Sequence, residues 1–153
     1  MRSFNTLAGF VAGGEPEDLE PVFEHHATLR IFSEAGLDFE ELNATLGLRP
    51  TTTGRRGERV GPRSPPNKGD IWMYRAPVPA DRNLHEHIDA LWQALKPSSA
   101  FLCRLKERAT VQAFLGYSSN IDHAGINIPH RSLEMFTTLE LEFALTIIVQ
   151  VPG

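Results

Sequence analysis

Near its start the chain runs Phe23-Glu-His-His-Ala-Thr-Leu-Arg-Ile31. Phe23, His25, Ala27, Leu29 and Ile31 fall on one side of that run, and Glu24, His26, Thr28 and Arg30 on the other. A pleated strand sends successive side chains to opposite faces, so this pattern specifies a strand with one buried and one free face. It constrains the fold more than any other feature. A sheet built on such a strand needs a packed layer on one side only.

The covering layer is written in four helical segments. Asp38 caps the first, with Glu41 three residues on, Leu37 and Leu42 as a hydrophobic staple, Gly47 as the left-handed stop and Pro50 beyond it. Asn83 caps the second, with Glu86 at the third helical position and an apolar stripe of Leu84, Ile88, Leu91, Trp92 and Leu95 that Pro97 ends. Ser98 or Ser99 starts a further short helix expected to reach Ala109, with Leu102 and Leu105 turned inward. A helix from Pro129 carries Leu133, Phe136 and Leu139.

Further strands are expected at Ile71–Ala76, Thr110–Tyr117 and, briefly, Ala124–Ile128. The run Phe143–Val151 is apolar on both sides and reads as a central strand. The fold expected is therefore α+β: a two-layer sandwich with a mixed, mostly antiparallel sheet of about five strands, helices on one face, and a ferredoxin-like core. Residues 1–21 are expected to be a flexible N-terminal tail, and 22–153 a single domain.

Charge is unevenly spread. The formal net charge is −4, yet residues 49–70 carry six of the fifteen basic residues against Glu58 and Asp70. That balance excludes a globally basic nucleic-acid-binding domain but leaves a local basic patch. The segment lacks the G-x-x-x-x-G-K-[ST] order between strand and helix that cradles phosphate, since Lys68 is followed by Gly69 and then a strand. Arg55, Arg56 and Arg59 can still fork onto a carboxylate or phosphate. A connection this long is usually functional or disordered, so its middle, Gly54 to Lys68, is expected to be ordered only by a partner.

Tests for chemistry return little. His85 and His87 point apart on their helix, and His25 and His26 lie on opposite strand faces, so no metal site is expected. Cys103, the single cysteine, sits in Ala100-Phe-Leu-Cys-Arg-Leu105 and reads as a small hydrophobe in or near the core. There is no nucleophile elbow, and the paired acids read as caps. No catalytic residue and no cofactor is expected, and the apolar runs are too short for a membrane span.

The free sheet face remains. Alternation places His26, Thr28 and Arg30 on it, with Gln112 and Phe114 from the middle strand and Thr146, Ile148 and Gln150 from the last. Such a mixture of cation, amide, hydroxyl and apolar groups suits an interface. The candidate binding residues are Arg30, His26, Gln112 and Phe114 on this face, Arg55, Arg56 and Arg59 in the loop, and Trp72, a stacking platform if exposed.

Leu46-Gly-Leu-Arg-Pro-Thr51, then Gly57-Glu58, Trp72 opening a strand, and Leu84, His87, Leu91 and Leu95 resemble the bacterial family called domain of unknown function 4279. The resemblance implies a small bacterial cytoplasmic α+β domain with no catalytic residues to carry over, and an immunity role beside secreted toxins for some relatives. The expectation is a non-enzymatic interaction or regulatory domain, immunity-like in kind, binding a protein partner or a second copy of itself. The alternative is a small anion or nucleotide held by the basic loop and the open face. Single-stranded RNA ranks below both.

Overall fold

A computed structural model describes residues 20–121 and 125–150 of the 153-residue chain. Five strands form one sheet: β1 (Phe23–Ser33), β2 (Thr52–Gly54), β3 (Asp70–Arg75), β4 (Thr110–Ser119) and β5 (Ala144–Val149). The spatial order is β2-β3-β1-β4-β5, antiparallel throughout except for the parallel β4–β5 pair. Helices α1 (Phe39–Leu46), α2 (Leu84–Leu95), α3 (Ser99–Leu105) and α4 (Glu134–Thr138) complete the described elements, with 3₁₀ turns before α3 and α4.

The order and directions of β1 to β4 are those of two interleaved β-α-β units, the ferredoxin-like arrangement. In the first unit β1 and β2 run parallel with β3 between them. In the second, β3 and β4 run parallel with β1 between them. β5 extends this core beyond β4.

The alternation in β1 does what it requires. Ala27, Leu29 and Ile31 are fully buried, as is Trp72 beside Ile31, and Val111, Ala113 and Leu115 line the same side. Against them lie Leu84, Ile88, Leu91 and Leu95 of α2, Leu42 and Leu46 of α1, and Leu102 and Leu105 of α3. Two indoles pin the layers. Trp72 donates Nε1–H to Asn43 of α1 (2.8 Å), and Trp92 of α2 donates to Glu134 of α4 (2.9 Å).

Local signals set the helix ends. Asp38 accepts from the Glu41 amide at 3.0 Å, and Gly47 stops α1 at φ +64°, where a side chain would be strained. Glu86 reaches back to the Asn83 amide at 3.0 Å to close the start of α2.

Several expectations need correction. β2 is a three-residue strand inside the basic loop, too short to leave a periodic signal. Residues 125–128 form no strand, and Ala124 lies outside the described residues. α3 ends at Leu105, short of Ala109, and Ser98 makes no side-chain cap. The helix expected from Pro129 divides into a 3₁₀ turn and α4, with Met135 and Phe136 facing inward. Cys103 is exposed on α3, its Sγ 3.8 Å from the Thr138 carbonyl. β5 is an edge strand: Ile147 (58%) and Val149 (42%) are exposed on its inner side and Ile148 (55%) on the open face. Of the expected tail, residues 1–19 lie outside the described residues. Asn120 holds the last of it by donating to the Glu20 carbonyl and accepting from the Val22 amide.

Candidate functional site

Strand register brings four of the candidate residues together. His26, Thr28 and Arg30 of β1 project from the open face opposite Gly116, Phe114 and Gln112 of β4, and Arg75 and Met73 of β3 flank them on the other side. Arg30 donates to Gln112 Oε1 at 3.2 Å and lies over the Phe32 ring at 5.0 Å. Arg75 donates Nε–H to Thr28 Oγ1, and that hydroxyl meets His26 Nδ1, each at 3.4 Å. The His26 ring occupies the hollow left by Gly116, where any Cβ would collide with it. Burial lowers the His26 pKa below 6.5, and the Arg75 charge lowers it further.

These side chains cover Thr28, which is 3% exposed although it sits on the open face. Phe114 (37% exposed) adjoins this polar centre; Ile148, also exposed, sits beside Ser118 towards the Glu24 end of the face, and Phe143 is exposed just before β5. The charges that register places on this face are Arg30 and Arg75, with Glu24 at one end of β1. Arg75 is a contributor that sequence reasoning missed, although the alternation Ile71, Met73, Arg75 carried its signal.

The loop arginines form a different arrangement, centred on Asp70. Its carboxylate accepts from the Leu37 amide (2.9 Å), the Arg56 amide (2.9 Å) and Arg55 Nη1 (2.8 Å), and its side chain is 9% exposed. The two amide donors hold its pKa below the ordinary carboxylate value, Arg55 adds to that, and burial opposes it. Arg55 also donates to the Leu37 carbonyl (2.8 Å) and stacks on Phe39, its guanidinium 3.8 Å from the ring centre. Arg56 reaches the Glu34 carbonyl at 3.4 Å and Arg59 the Ser64 carbonyl at 2.9 Å.

The middle of the loop, expected to await a partner or stay disordered, is instead held from within. Gly57 and Asn67 bond Asn67 O (2.9 Å) and Glu58 O (2.7 Å) respectively, Arg55 donates its amide to the Glu58 carboxylate, and Asn67 donates to Arg55 O. Each of the three arginines therefore has its own protein partner.

Trp72 also changes role. It is fully buried on the helix side, so it offers no face for stacking.

A second polar cluster lies on the inner side of the sheet, unannounced by any local motif. His25 stands 5.1 Å from Tyr117 and 6.3 Å from His87, ring centre to ring centre. His25 Nδ1, both His87 nitrogens and the Tyr117 hydroxyl are buried without a hydrogen-bond partner. Burial lowers the pKa of both imidazoles. Backbone carbonyls of residues 79–82 oppose this without reaching hydrogen-bonding geometry at those atoms. Among the described residues no group of three His, Cys, Asp or Glu side chains is placed to hold a metal ion. No helix among them is long and apolar enough to cross a membrane.

The profile of the family described as domain of unknown function (DUF4279) matches residues 23–150, nearly the whole chain and all five strands. The chain belongs to DUF4279. Leu46–Thr51, the segment that carries the resemblance, is in structural terms the end of α1 and the turn into β2, and Trp72 anchors the returning chain in the sheet. Comparison with curated proteins and with solved structures finds no match.

Proposed function

We propose that the chain is a non-enzymatic interaction domain that binds a protein partner through the open face of its sheet. One observation carries the reading: exposed Phe114 stands beside a cationic centre of Arg30 and Arg75 on an otherwise acidic molecule, and exposed Ile148 lies further along the same face beside Ser118. Apolar groups ringed by positioned polar ones are the composition of an interface core and its rim. The partner it fits presents an apolar centre flanked by carboxylates. We place this in a bacterial cytoplasm, where an exposed lone thiol such as Cys103 stays reduced. An immunity-like or regulatory role is the form of partnership that follows.

Photo-cross-linking tests it. A benzophenone amino acid at position 114, introduced in the native host, should give one heterologous cross-linked product, and Arg30→Glu should abolish it. A product consisting only of the chain's own dimer, or none, overturns the reading.

A further inference from the structure

At the end of the sheet away from the basic loop, a cavity of about 520 Å³ opens between the start of β1, the start of α2 and residues 125–129. That volume is in the range of small-molecule sites. Phe23 and Tyr117 form one wall, their rings 6.3 Å apart, and His25 continues it at 5.1 Å from Tyr117. Ile126 and Ile128 supply apolar surface opposite, and Asp81 supplies a carboxylate. Among the described residues no Lys or Arg lines the cavity.

We infer that this cavity binds a small organic cation, an amine or quaternary ammonium with an apolar body. Two aromatic rings, Phe23 and Tyr117, line the cavity, and the negative side of an aromatic quadrupole attracts such a ligand, more strongly where water is excluded. Asp81 supplies the counter-charge at the rim. His25 and His87 behind it do not oppose the ligand, because burial keeps both imidazoles neutral at pH 7. Among the described residues the lining offers an anion no Lys or Arg, only the imidazoles of His25 and His85. An uncharged ligand of the same shape gains the apolar contact but neither of the two charge terms. The site lies on the helix side of the sheet, so its occupancy and binding on the open face are separate properties.

The probes are phenyltrimethylammonium, benzyl alcohol and benzoate, titrated into the full-length ¹⁵N-labelled protein at pH 7.5 and followed by amide chemical shifts. Phenyltrimethylammonium should bind saturably, on the order of tenfold tighter than either other probe, with shifts at 23–25, 81–85, 117 and 125–129. Phe23→Ala and Asp81→Asn should each weaken it several-fold while the thermal midpoint confirms that the variants are folded. Benzoate binding as tightly, shifts located elsewhere, or no saturation by about 10 mM phenyltrimethylammonium would each overturn the inference.

Discussion

Asp70 shows how one residue turned an apparent anion site into architecture. Its carboxylate takes three donors from two segments, the turn before α1 and the basic loop, and so ties both to the first residue of β3. Removing the charge and one acceptor while leaving buried donors costs about 2 kcal/mol, since unmade buried hydrogen bonds are expensive. Asp70→Asn should therefore lower stability by about that amount in urea titrations at pH 7. Its folded pKa is depressed, so the Asp70 contribution is present above the unfolded value of 3.8 and is lost as pH falls through the folded one. The variant should lose this acid-limb dependence. Wild-type stability at pH 7 in Asp70→Asn would remove the pin from the account.

The imidazoles act in a different pH window. His25, His26 and His87 all have folded pKa values below 6.5, so below that pH the unfolded chain binds more protons than the folded one. Stability should fall as pH drops through 6.5 and level off below the folded pKa values. His87 is 1% exposed with neither ring nitrogen partnered, so an apolar replacement of similar volume relieves an unmet desolvation cost. His87→Leu should match or exceed wild-type stability at pH 7 and flatten the slope between pH 7 and pH 5.5. A steeper slope, or a destabilised variant at pH 7, would contradict this.

Elements whose instructions are local were readable from the residues. The β1 alternation, the Asp38 cap with its Gly47 stop, and the α2 stripe all describe contacts within a few residues, and the structure realises each. What the residues could not convey is how many neighbours a strand has. The apolar run at 143–151 looks central, because composition records apolarity and not sheet order; its position beside β4 alone is set by packing far away in sequence. β2 was invisible for a related reason, since three residues pairing with β3 make no period. The edge position has a mechanical consequence. Ile147→Lys, on the side that a central strand would bury, should change the thermal midpoint by only a few degrees, whereas Leu115→Ala one strand inward costs about 2–5 kcal/mol. The lysine should also reduce self-association through the exposed edge. Unfolding of the Ile147→Lys protein would mean that β5 is covered.

For the molecule as a whole, the ferredoxin-like sandwich leaves one sheet face without helices among the described residues, and residues from four strands meet there. Register alone was enough to gather Arg30, His26, Gln112 and Phe114 from the sequence. It could not reveal that Arg55 and Arg56 are engaged at Asp70, or that Trp72 is sealed beneath α1, because those contacts join residues 14 to 33 positions apart. The inner cavity was harder still: it joins β1, α2, β4 and residues 125–129, none of which carries a motif. The central claim is that recognition belongs to the open face and not to the basic loop. Its most direct test is the dissociation constant for the cross-linked partner, measured for Phe114→Glu/Ile148→Glu and for Arg59→Ala/Arg63→Ala/Lys68→Ala. The face variant should weaken binding more than about tenfold and the loop variant less than about twofold. The opposite ranking would contradict the account.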